Sequence, residues 1–295
     1  MRTCYDAGMK FLALLLVVFS VGAVESPETL LPVMTDARES WQKRGEAEDA
    51  LAKLPPEAVL PALLPHMAKG MPSGGIWNSA GREHDRGAPV EWQVFYAVGR
   101  SWSAQVNKLP HEGGGRLLHE LLRKAPTAYA KDILLGDLAL RWEPQAEPTV
   151  AAMLKNPKEG LPVRAAAGLV LILHGRENYH ALLLEYAGQG EHSERLRWFD
   201  LLSDPRHKQR KGVDSRVIAM GFDLIEAERR ANPNYVHGGY FLALKVGHYA
   251  GQQFKPDQQD PRYQKQGGLN DAFFADTVEN ALKWWELNKA ETLKP

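Results

Sequence analysis

The chain has 295 residues, enough to bury a substantial core. Its 36 basic side chains match its 36 acidic ones, so no overall field draws it to nucleic acid or acidic lipid. Its one cysteine, Cys4, precedes a long apolar run and leaves with that run if it is removed, which excludes disulfides, thiolate catalysis, Cys-ligated zinc and c-type haem attachment.

The first residues have the anatomy of a secretory signal peptide. Arg2 and Lys10 form the positive end, Phe11–Ala23 the apolar run, and Val21 with Ala23 the small residues of a cleavage site. The run falls short of the roughly 20 residues that span a bilayer. Residues 1–23 are therefore read as a leader cleaved after Ala23. The expected product is exported, periplasmic or extracellular, and not inserted in the membrane. Losing Arg2, Lys10 and Asp6 leaves the charges balanced.

Residues 24–295 are read as one all-α domain. After a short polar stretch, Asp36–Leu54 carries Ala47, Ala50, Leu51 and Leu54 on one face and ends at Pro55-Pro56. Glu57–Lys69 has the stripe Leu60, Leu63, Leu64, Met67, but Pro61 and Pro65 fall inside it, predicting a kink or a start at Pro61. Met71–Pro89 is rich in Gly, Ser and charge without a period, which places a long loop at 71–90. Helical stripes resume over Glu91–Val106, Arg116–Ala125, Thr127–Trp142 and Glu147–Lys155.

Leu161–Ala187 is the organising stretch. Val163, Ala166, Ala167, Val170, Leu171 and His174 share one helical face, and Leu169, Ile172 and Leu173 widen it until most sides are apolar. Gly175 stops that helix, and Tyr179, Leu182, Leu183, Tyr186 and Ala187 stripe the next. Isolated helices this short are marginal in water, so the pair needs similar pairs on each side. That requirement predicts an α-solenoid. Sliding Lys131–Leu154 onto Val163–Tyr186, an offset of 32, aligns Leu138 with Val170, Leu140 with Ile172 and Val150 with Leu182. Further helices are expected over Glu194–Leu202, Asp214–Arg230, Pro233–Gly251 and Asp271–Asn288, with a basic loop after the first and a polar connection at 255–269. No stretch sustains a period of two, so strands are not expected.

The segment Leu161-Pro-Val-Arg-Ala-Ala-Ala-Gly-Leu, with Asp204-Pro205 and Val213-Asp-Ser-Arg-Val-Ile-Ala, resembles HEAT repeats of the armadillo/HEAT type, in which a DP-type turn precedes a V-R-x-x-A-A helix. The resemblance covers roughly Tyr129–Ala187 and degenerates after Glu194. The tail, Gly251-Gln-Gln-Phe254 followed by Trp284-Trp285, is similar to the ending of exported bacterial HEAT-type proteins, largely uncharacterised. The likeness implies an α-solenoid and a role in binding proteins or scaffolding. It carries no catalytic residues across.

Chemistry-bearing patterns are few. His119-Glu120 opens a zinc-protease signature but lacks the second His. Trp77–Arg86 gathers an aromatic, arginines, a His and acids on one loop: Arg82 and Arg86 suit a carboxylate or phosphate, and His84 a proton transfer. The alternative there is a solvated insertion. His237 and His248, three helical turns or roughly 16 Å apart on one helix, do not converge on one ion. Arg206–Lys211 (RHKQRK) reads as a solvated basic loop, because no aromatics interleave with it. Most tryptophans sit on apolar stripes, with Trp102 and Trp198 the candidates for a binding face. No catalytic residue, metal ligand or cofactor is assigned. The expected role is a scaffold presenting a concave surface to another macromolecule, a protein rather than nucleic acid. The alternative is an enzyme or small-ligand binder built on the 77–86 loop.

Overall fold

A computed structural model of the chain describes residues 25–67, 69–70, 86–176, 178–232, 236–265 and 268–294. The described residues form α-helices, two single 3-10 turns, and one antiparallel ribbon of two-residue strands, Gln264–Lys265 and Gly268–Leu269. The all-α expectation holds. None of the described helices is long and apolar enough to cross a membrane. The chain divides into two compact units, Met1–Pro110 and His111–Pro295. The division falls where a helix ends at Lys108 and Pro110 opens a short exposed turn.

The first unit contains α1 (Pro27–Thr35), α2 (Trp41–Leu51), α3 (Pro56–Met67) and α4 (Val90–Lys108). Helix α1 replaces the polar stretch expected there. Ser26 and Pro27 start it, and Leu31 and Met34 are buried. It packs against α2, α3 and α4. Helix α3 runs unbroken through Pro61 and Pro65, so it does not start at Pro61. Both prolines are exposed, so the carbonyls they leave without a donor can be solvated while Leu60, Leu63 and Leu64 stay buried. Two polar ties cross this core. Arg100 forms a two-pronged ion pair with Glu48 at 2.8 and 3.1 Å, and the buried Gln105 donates to the Leu51 carbonyl at 2.7 Å.

The second unit contains α5 (Gly114–Lys124), α6 (Ala128–Leu140), α7 (Glu147–Lys155), α8 (Leu161–Leu173), α9 (Asn178–Gln189), α10 (His192–Leu202), α11 (Pro205–Lys211), α12 (Ser215–Ala231), α13 (Val236–Ala250) and α14 (Asp271–Thr292). Helix α8 is its centre. Val163, Ala165, Ala167, Val170, Leu171, Ile172 and Leu173 are all buried, and α6, α7, α9, α10 and α11 cover it. Each fully buried Val, Leu or Ile is worth about 1.5–3 kcal/mol of transfer free energy, so α8 gains more from its neighbours than from its own backbone. Gly175, at φ 73°, ends it, and the Arg176 amide donates back to the Leu171 carbonyl at 3.0 Å.

Neighbours recur in a regular way. Helix α6 packs on α8, α8 on α10, α10 on α12 and α12 on α14. Helix α5 lies against α6, α7 against α8, α9 against α8 and α10, and α13 against α12 and α14. The starts of α6 and α8 are 33 residues apart and those of α7 and α9 are 31 apart, so the 32-residue offset averages the two. The tract Arg206–Lys211, expected as a loop, is helix α11. Asp204 caps it by accepting from the Arg206 amide at 2.8 Å, Pro205 occupies its first turn, and His207 is buried beneath it.

The motif near the tail is a packing device. Phe254 is buried beside Phe222, and Trp285 stacks on Phe222 with centroids 4.7 Å apart and planes 8° apart. Trp284 closes the group at 5.7 Å from Phe254, and Asn280 donates to the Phe254 carbonyl at 3.1 Å. Gly251, at φ 72°, turns the chain so that Phe254 reaches this cluster. The 255–269 connection is anchored as well: Tyr263 is buried and donates to Asp276 at 2.6 Å.

Candidate binding groove

A cavity of about 280 Å³ opens across α6, α8 and α10. Asp132 and Gly136 come from α6, Ala165, Ala166 and Leu169 from α8, and Arg197, Asp200 and Leu201 from α10, with Asp204 just beyond its end. Spacings of one, three and four residues put each set on one helical face. Glycine and alanines leave the floor shallow, and the charged side chains stand at the rim. Asp132, Ala165 and Arg197 follow one another at 33 and 32 residues, and Gly136, Leu169 and Leu201 do the same.

Two of the rim carboxylates are already engaged. Asp200 pairs with Lys245 of α13. Asp204 takes the Arg206 guanidinium at 2.9 and 3.0 Å; burial would push its carboxyl up, but those bonds and the Arg206 amide outweigh burial and hold it below the usual carboxylate range. Asp132 and Arg197 are different. Among the described residues neither makes a direct hydrogen bond or ion pair, and they sense each other only through space. Burial raises the Asp132 carboxyl above its ordinary value, and the Arg197 charge offsets only part of that shift.

Behind this groove lies a buried polar chain. His180 of α9 bonds His207 of α11 at 2.8 Å and Asp214 at 2.9 Å. Asp214 also takes the Arg216 guanidinium at 2.7 and 3.1 Å and the Arg216 amide at 2.9 Å, which caps α12. Burial alone would raise the Asp214 carboxyl, but the Arg216 and His180 bonds prevail and hold it far below the usual range. Tyr249 Oη accepts from the Asp214 amide at 3.0 Å, tying α13 to the same point. The chain couples four helices, and Asp214 carries it outward to the exposed Arg216. Among the described residues no three His, Cys, Asp or Glu side chains are placed to hold a metal ion.

The residues singled out from sequence fare unevenly. Trp77, Arg82 and His84 lie outside the described residues. Arg86 is exposed, with its guanidinium 5.4 Å from the Trp41 ring centroid. Trp102 is 3% exposed and Trp198 1%, so both fill cores and neither offers a face to a partner. Trp198 instead packs on Tyr186, under the Arg164 guanidinium. His237 rests on Phe274 while His248 is exposed, so they do not converge. His119 bonds Thr149 at 3.0 Å. Asp132, Arg197 and Asp200 were not singled out. Aligning α6, α8 and α10 at offsets of 33 and 32 residues brings Asp132, Ala165 and Arg197 into one column, but the starts of α8 and α10 are only 31 apart, so an alignment by helix starts misses Arg197 by one residue.

The first unit has a cavity of its own, also about 280 Å³, between the ends of α1 and α3 and the start of α4. Met67, Val94, Phe95 and Val98 make it largely apolar. His66 and Lys69 stand at its edge, and burial, helped by the Lys69 charge, pushes the His66 imidazole down.

Comparison of the chain with protein families, with curated proteins and with solved structures finds no match.

Proposed function

We propose that this chain is an exported helical-repeat protein of HEAT type, built as an α-solenoid, that binds a segment of another protein in the groove across α6, α8 and α10. One observation carries the reading: equivalent positions of three successive hairpins line a single cavity floored by glycine and alanine. Stacked hairpins create surfaces of this kind, and a shallow floor admits an extended chain. The export half of the reading rests on Arg2, Lys10 and the run Phe11–Ala23.

The test is affinity capture from the envelope fraction with the wild type and with Ala166→Trp, which places an indole on the groove floor. Ala166 is half-buried and faces the cavity. The expected result is a specific protein partner that is lost with the Trp variant while the helical dichroism is retained. Capture unchanged by the indole would refute the groove as the binding site. Mass spectrometry of the exported chain is expected to place its first residue at Val24.

A second reading is favoured by the apolar cavity of the first unit, which suits a small apolar ligand. Val94→Trp, which fills that cavity, would abolish such binding without touching capture by the groove.

A further inference from the structure

The groove presents two charges of opposite sign that feel each other through space but have no bonded partner among the described residues. Asp200 is held by Lys245 and Asp204 by Arg206, so neither is free to receive a partner. Asp132 on α6 and Arg197 on α10 flank the small-residue floor from opposite sides, each without a hydrogen bond or ion pair among the described residues. Resting on the protein-binding reading above, we propose that the groove takes an extended peptide segment carrying one cationic and one anionic side chain, the cation on Asp132 and the anion on Arg197.

Three physical arguments converge. First, Asp132 is half-buried and its carboxylate has lost part of its water without gaining a bond, so an incoming ammonium or guanidinium restores what desolvation removed. Second, the Arg197 guanidinium is an exposed planar fork, suited to two bonds from one carboxylate. Third, the pair selects by repulsion as well as attraction. A purely basic segment meets Arg197, a purely acidic one meets Asp132, and only a segment of mixed sign satisfies both. Nucleic acid is disfavoured by the same arrangement, since its phosphates would face Asp132 beside Asp200 and Asp204. Ala165, at the equivalent position on the intervening helix, contributes only a methyl group, so nothing from α8 neutralises either charge.

The probe is a phage-displayed library of random dodecapeptides panned on the exported protein. Wild type is expected to enrich peptides with a Lys or Arg and an Asp or Glu at one fixed spacing. For the best peptide, replacing its cation by Met should weaken binding roughly tenfold or more on wild type and hardly at all on Asp132→Asn. Replacing its anion by Gln should behave the same way with Arg197→Gln. Both variants remove charge at the surface of folded helices, and circular dichroism checks that they fold. In the double exchange Asp132→Arg with Arg197→Asp, the selected peptides should keep the spacing and reverse the order of the charges. Peptides of a single sign, or binding indifferent to both variants, would overturn the inference. So would a library that enriches nothing while envelope capture still depends on the groove. The failure of the broader reading has a separate signature, capture that survives Ala166→Trp.

Discussion

Gly221 sits where α12 crosses α10 and α13, and its substitution tests how tightly the second unit is packed. A methyl group at this position would lie 2.3 Å from Val246 Cγ2 and 2.9 and 3.0 Å from the Phe199 ring. Carbon atoms in contact prefer about 3.5–4.0 Å, so α13 or the ring must withdraw by more than an ångström. Both neighbours are fully buried. Overpacking of this kind costs about 1–3 kcal/mol, against roughly 1 kcal/mol gained when Ala replaces Gly in a helix. Gly221→Ala should therefore be destabilised by up to about 2 kcal/mol net, a fall in melting temperature of up to roughly 8 °C for a unit of this length. Thermal melts followed by far-ultraviolet dichroism read it directly. Val246→Ala removes the carbon that the new methyl would strike, so in that background the same substitution should cost at least about 1 kcal/mol less. Gly136→Ala is the internal control. Nothing lies within 4 Å of its added methyl, and it should stabilise by about 0.5–1 kcal/mol. If Gly221→Ala matches Gly136→Ala in sign, or costs the same with and without Val246, the close crossing is not what stabilises the unit.

Asp214→Asn keeps an N-capping side chain but removes the charge that Arg216 and His180 address, and should cost about 1–3 kcal/mol near neutral pH. Because the Asp214 carboxyl is depressed in the folded chain, its contribution is complete above the unfolded carboxylate value near 4 and fades as pH falls below it. Urea midpoints of wild type and variant should therefore draw together progressively as pH falls below about 4; a constant gap would show that ionisation of Asp214 does not stabilise the fold. Trp285→Ala removes an indole that is 4% exposed and stacked on Phe222, and should cost about 3–5 kcal/mol in urea denaturation. Trp284→Ala, half-buried at the edge of the same cluster, should cost clearly less; equal losses would argue against the stack as the anchor of α14.

Much of the second unit was legible because its signals are local. The apolar width of Val163–Leu173 required neighbours on several sides, and α8 has them. Gly175 read as a stop and adopts the left-handed turn that makes it one. What escaped depended on cap chemistry or on exposure. Helix α1 is short and interrupted by Pro32, so its stripe of Leu31 and Met34 fell below notice. Pro61 and Pro65 were weighed as breakers, yet a proline on the solvent side costs far less than one facing the core. Arg206–Lys211 has no apolar stripe. Asp204, Pro205 and the inward His207 hold it helical, and that histidine is buried against His180, 27 positions earlier, which in turn bonds Asp214. Trp102 and Trp198 followed the same logic in reverse: an indole on a stripe is core unless something lifts it out.

The groove was hidden for a different reason. Repeats are recognised by what stays the same, and the positions that stay the same are those that stack hairpins on one another. Along α6, α8 and α10 the stacking positions keep Leu134, Leu138, Val170, Leu171, Phe199 and Leu202 buried. The groove positions change from one helix to the next, Asp132 to Ala165 to Arg197: Ala165 on the central helix is buried, whereas Asp132 is half-buried and Arg197 exposed. On the proposed reading of this groove, the residues that would meet a partner are those where the helices align in space and differ in sequence. The same reasoning sets His180 and Asp214 apart. They too break the apolar pattern, but they are turned inward and spent on each other, whereas Asp132 and Arg197 face an open cavity with nothing to hold.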